Sequence, residues 1–248
     1  MAEMSFWDHL EALRSCILKV LAALVVVLVG CFIALPYIFD AFILGPTHSD
    51  FFMYRLLGFA YGPTQGVEII NINVAAQFLT HMSTSFWMAL VMVFPYLIYQ
   101  IWVFVRPALY QREVKGVRTA FTAGTSLFYI GCAVGYLLVF PIIFRFLAQY
   151  RIGTEVVNQI NLSSYMSIFL SMIFIMGLVF EMPILLWLLG SLGIINKKML
   201  RSWRRYAIVV LLILAAAITP TGDPFTLMIV FLPLYLLYEL SIVFVKNG

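Results

Sequence analysis

CILKVLAALVVVLVGCFIAL (Cys16–Leu35) is an unbroken apolar run with one charge, Lys19, near its start. About 20 apolar residues are needed to cross about 30 Å of hydrocarbon. This stretch meets that length, and the long side chain of Lys19 can snorkel toward the interface. The segment before it, MAEMSFWDHLEALR, is acidic and aromatic rather than short and basic. The run therefore reads as a retained membrane helix and not as a cleaved leader.

The same reading extends along the chain. Further apolar runs cover Val74–Phe104, Thr119–Phe144 and Leu162–Leu192. Two later ones, Tyr206–Ile218 and Phe225–Val245, are separated only by the tight turn TPTGDP. The first of these is too short to span, and the second is interrupted by Pro233 and Glu239. The expectation is a single all-α domain over 1–248, a polytopic membrane protein of six transmembrane helices. Its last two helices form a short hairpin that either fails to span fully or has the bilayer thinned around it. Composition agrees: 64% of the residues are hydrophobic and 10% are charged, against about 25% charged in soluble domains.

Charge sets the orientation. Of the 15 lysines and arginines, all but Arg55, Arg145 and Arg151 fall in or beside 1–15, 105–118, 193–205 and the C-terminus. The positive-inside bias puts those segments, and both termini, in the cytoplasm. The net charge of +4 reflects this bias and implies no nucleic-acid partner. The loop 36–73 then lies outside, and its segment FFMYRLLGFAYG reads as a short surface helix.

Ionisable groups inside such a chain are the informative ones. Glu181 falls within the fourth run, two residues before Pro183. It reads either as a polar notch in the membrane or as a protonated acid bonded to a neighbouring helix. Asp223 sits among turn-forming residues, and its plain reading is turn chemistry. Glu239, near the cytoplasmic end of the last helix, has the plain reading of an interfacial carboxylate. Glu11 and Arg14 stand one helical turn apart on HLEALR, where a surface pair is worth a few tenths of a kcal/mol. With Glu113 in the basic loop PALYQREVKGVR, Glu11 also offers carboxylates for a ligand bearing adjacent arginines. A guanidinium meets a carboxylate through two parallel hydrogen bonds that lysine cannot reproduce.

The sequence holds no H-E-x-x-H, G-x-S-x-G or P-loop motif. Its three cysteines, Cys16, Cys31 and Cys132, have neither disulfide nor metal spacing. The expectation is a non-enzyme without metal or cofactor. Gly131 and Gly135 form G-x-x-x-G, for which close helix packing is the plain reading. A small proton-coupled secondary transporter using Glu181 is the rival function, although a transporter would carry several polar groups at midplane.

Five segments together carry a resemblance. They are HLEALR (His9–Arg14), QIWVFVRPALYQRE (Gln100–Glu113), FYIGCAVGYLLVFP (Phe128–Pro141), GLVFEMP (Gly177–Pro183) and ITPTGDPFT…PLYLLYE (Ile218–Glu239). In this order they resemble the TatC family, a subunit of the Sec-independent, twin-arginine protein translocase. The resemblance implies a concave, glove-like bundle in the bacterial cytoplasmic membrane. It also implies a receptor for twin-arginine signal peptides of folded cargo, partnered by TatA/TatB-type single-span proteins and by copies of itself. Transport would be driven by the proton-motive force. Glu11, Arg14, Gln100, Phe104 and Glu113 would form the signal-peptide patch, and Glu181 the polar group within the membrane. Pro46, Asp223 and Glu239 would serve the periplasmic tip and partner contacts. The tip is one residue longer than the family's T-P-P-D, and Leu227 stands where many members carry glutamine.

Overall fold

The computed structural model describes residues 6–58, 68–105, 114–153, 158–191, 193–219 and 222–245. Ten α-helices account for most of it: α1 Phe6–Ile38, α2 Phe52–Leu56, α3 Ala76–Val105, α4 Val114–Val134, α5 Phe140–Gln149, α6 Leu162–Val179, α7 Met182–Ser191, α8 Lys197–Ser202, α9 Arg204–Ile218 and α10 Pro224–Phe244. A wide π-type turn at Gly135–Val139 joins α4 to α5. The helices exceed the apolar runs. α1 runs N-terminally past the apolar run, through HLEALR, as far as Phe6, the first described residue.

Five stretches of the described chain are long and apolar enough to cross a membrane. α9 is the exception: its 15 residues rise about 22 Å at about 1.5 Å each. α10 has 21 residues, about 31 Å on the same rise, so it is not short. The expected pair of short helices is one short helix beside one of full length. Pro233 lies inside α10 without ending it.

α1 and α3 run antiparallel. Cys16 Sγ lies 3.8 Å from Gln100 O near one end, and Cys31 Sγ lies 3.6 Å from Met92 Sδ further along. Much of α1 faces outward: Val25, Val26, Val29 and Ile33 are exposed. In lipid such a face needs no cover. The main core gathers α5, α6, α9 and α10 around Phe140, Ile143, Tyr165, Phe169, Leu234 and Ile242.

Glycines bring α4 against α6. A Cβ on Gly131 would stand 2.5 Å from Met176 O, and one on Gly177 2.7 Å from Cys132 Sγ. Only glycine permits backbones this close. We call the end carrying the α1 N-terminus, α8 and the start of α9 the basic end, and the opposite one the far end.

Irregular backbone concentrates at the far end, where carbonyls freed from helices must find donors. Pro36 has no N–H to return to Phe32 O, and His81 Nε2–H donates to that oxygen instead, at 2.8 Å. The His81 ring stacks on Phe32 at 3.9 Å. Beyond Pro36 the chain makes a wide turn, Phe39–Ile43, and then a 3₁₀ turn, Gly45–Thr47. Three tyrosines from other elements hold these turns. Tyr136 donates to Phe42 O at 2.8 Å, Tyr165 to Ile43 O at 2.6 Å and Tyr54 to Pro46 O at 2.7 Å. Pro95 repeats the device inside α3: it frees Val91 O, and Tyr129 donates to it at 3.3 Å. A two-residue parallel pair, Ile69–Ile70 with Ile160–Asn161, joins the two far-end loops. The surface helix expected in FFMYRLLGFAYG is α2, held down by the buried Tyr54; residues 59–62 of that segment lie outside the described ones.

Candidate functional site

At the basic end, Glu11 and Arg14 are exposed on the first turns of α1. The antiparallel register set by Cys16 and Gln100 brings them level with the last turn of α3, where Phe104 is half-buried. Gln100 itself is buried, so it underlies this patch rather than facing out of it. Glu113 lies outside the described residues. Lys197, Lys198 and Arg201 on α8 share this end of the bundle. Helix α8 is capped by Asn196, whose side chain accepts from Met199 N at 2.8 Å.

Within the bundle, α6 and α7 are one apolar path broken at Phe180–Glu181. The sequence explains the break. Pro183 cannot donate, and the backbone tightens so that Glu181 N bonds Leu178 O at 3.1 Å. The helix restarts with Leu185 N donating to Glu181 O at 3.0 Å. The carboxyl swings against α4. Its Oε1 is buried without a hydrogen-bond partner among the described residues. Buried polar groups are seldom left so, and unpaired ones cost about 1–3 kcal/mol.

The residues grouped as tip and partner contacts are not brought together. Asp223 is at the far end, where it caps α10: its side chain accepts from Thr226 N at 2.8 Å. Gly222 before it takes φ of +61°, the left-handed backbone the turn requires. Glu239 is instead near the basic end of α10. There it pairs with Arg204 Nη2 at 2.6 Å and accepts from Tyr235 Oη at 3.1 Å. It therefore ties the open ends of the α9–α10 hairpin together. Pro46 is buried beneath Tyr54 and presents no outer surface.

Sequence reading missed His81, Tyr129, Tyr136 and Tyr165. Only half of the signal was present: a proline inside an apolar helix announces a freed carbonyl but not its donor. Among the described residues, no group of three or more His, Cys, Asp or Glu could hold a metal ion.

The fold and these groups define a multi-pass, mainly helical membrane protein with a carboxylate set into its apolar bundle. Comparison with known proteins narrows the class. The family model for the Sec-independent protein translocase protein TatC matches residues 8–233. The TatC of Blattabacterium sp. subsp. Periplaneta americana is 34% identical over 97% of this chain and 94% of its own. That of Deinococcus radiodurans is 34% identical over 98% and 86%. A crystal structure of the twin arginine translocase receptor TatC superposes with a TM-score of 0.77 at 26% identity, covering 95% of this chain and 97% of the other. The chain belongs to the TatC family of Sec-independent protein translocase proteins. It is a membrane transport component, and the small secondary transporter is not favoured.

Proposed function

We propose that this protein is the signal-peptide receptor and core subunit of a twin-arginine translocase, exporting folded proteins across the bacterial cytoplasmic membrane at the expense of the proton-motive force. The observation that carries this reading is the basic end of the bundle. Glu11 and Arg14 stand exposed beside the last turn of α3 and Phe104, and Glu113 follows α3 in the sequence. Carboxylates on a cationic rim select a peptide with two adjacent arginines, because each guanidinium forms a bidentate pair. Arg14 and the rim lysines repel isolated positive charge and orient the ligand.

In this reading both termini are cytoplasmic and α9 is a sixth crossing, made where the bilayer thins to its length. The exposed faces of α9 and α10 form the edge that meets TatA/TatB-type single-span proteins and further copies of this chain. Glu181 supplies the polar point within the membrane that transport needs.

The test is peptide binding. Glu11→Ala and Glu113→Ala should each weaken binding of a twin-arginine signal peptide roughly tenfold or more, the loss of a charge-assisted bond of about 1.5–3 kcal/mol. A twin-lysine peptide should bind the native protein as poorly. Unchanged crosslinking of the peptide to both variants would show the assignment to be wrong.

A further inference from the structure

The α4 glycines do not all serve the same purpose. A Cβ on Gly131 would meet Met176 O and the Phe180 side chain, and one on Gly135 would meet Ile173 Cα and Met172 O. Those positions are explained by helix approach. Gly124, on the same face of α4, is different. The three atoms nearest its missing Cβ all belong to Glu181: Oε2 at 2.8 Å, Oε1 at 3.5 Å and Cδ at 3.6 Å. No backbone atom and no other side chain is among them. The carboxyl group is what comes nearest to the space left by this glycine.

We infer that Gly124 is a positioning residue for Glu181: the missing side chain is the berth that draws the carboxyl in against α4, at the break between α6 and α7. The inference rests on the reading that Glu181 serves transport. It accounts for two facts at once. The carboxyl is turned inward although the residue as a whole is only half-buried. Its Oε1 is buried without a hydrogen-bond partner among the described residues, so none of them holds that oxygen by a hydrogen bond. Shape holds it: the bend at Phe180–Glu181 aims the side chain and the gap at Gly124 receives it.

The geometry also predicts which substitution separates position from fold. The nearest atoms an added Cβ at Gly124 meets belong to the tip of a flexible side chain, so the carboxyl moves and the helices stay. Alanine is also a better helix former than glycine by about 1 kcal/mol. Gly124→Ala should therefore reach the membrane folded, with an unchanged or higher thermal midpoint and native signal-peptide binding, yet export cargo at least tenfold more slowly. Glu181→Asp withdraws the carboxyl by one methylene. The double variant G124A/E181D should export within about threefold of E181D alone, whereas a purely structural role for Gly124 predicts no such rescue.

Native export by G124A overturns the inference. So does a G124A that fails to fold, because that requires helix contact at this position. A double variant tenfold or more below E181D overturns it as well. Glu181→Leu keeps the two questions apart. If E181L is inactive and G124A exports normally, only the role of Gly124 fails. If E181L exports normally, the reading of Glu181 fails, and the berth with it.

Discussion

The bundle contains two kinds of broken helix, and they are treated in opposite ways. In α1 and α3, prolines free the carbonyls of Phe32 and Val91, and side chains from neighbouring helices, His81 and Tyr129, bond to both. The turns after α1 receive Tyr136, Tyr165 and Tyr54 in the same way. At Phe180–Glu181 the break instead places a carboxyl in the bundle, and one of its oxygens has no partner among the described residues. The first kind is repaired and serves shape. The second keeps an unmet hydrogen-bonding capacity inside the membrane, where each such group is costly. Five side chains thus satisfy carbonyls elsewhere in the bundle.

Four substitutions test the contrast. Tyr165→Phe should have the largest effect, since it strands Ile43 O in a fully buried site; the expected loss is about 2–3 kcal/mol of unfolding free energy in micelles. His81→Leu should cost less, about 1–2 kcal/mol, because the site is only half-buried and an apolar side chain of similar size still covers Phe32. Tyr129→Phe should cost about 0.5 kcal/mol, its bond being longer and more exposed. Glu181→Leu should cost nothing or raise the unfolding midpoint, because replacing a buried unpaired polar group by an apolar one removes a penalty. A large loss of stability in that last variant would place Glu181 with the repaired breaks and erase the contrast.

Much of the fold was legible because lipid simplifies the code. Apolar runs of sufficient length announce the spans, and the arginine and lysine bias supplies an orientation. The run Cys16–Leu35 marks only the part of α1 set in hydrocarbon; the amphipathic HLEALR continues the helix before it. The brevity of α9 could be read from its 15 residues, while the proline in α10 suggested an interruption that does not occur. The site was legible in part. Glu181 stood out as a carboxyl in an apolar run, and Pro183 pointed to the break. Its berth did not stand out, because a glycine in an apolar helix has many uses and only its neighbour tells them apart. Glu239 was grouped with Asp223, though the two occupy opposite ends of α10. Helix direction separates them, and a residue's partner across the hairpin, here Arg204, cannot be read from one strand of the sequence. Phe32 and His81 illustrate the same limit, since they meet across the loop between α1 and α3.

The tyrosines that hold Phe42 and Ile43 also imply a timetable. The chain emerges from the ribosome N-terminus first, so α1 and α3 can pair, with His81 on Phe32, while the later helices are still unmade. The carbonyls of Phe42 and Ile43 must wait for Tyr136 and Tyr165, and the strand Ile69–Ile70 must wait for Ile160–Asn161. Until α6 is inserted, the far end of the nascent protein is an open seam. That interval is when a membrane protease or a chaperone would find it.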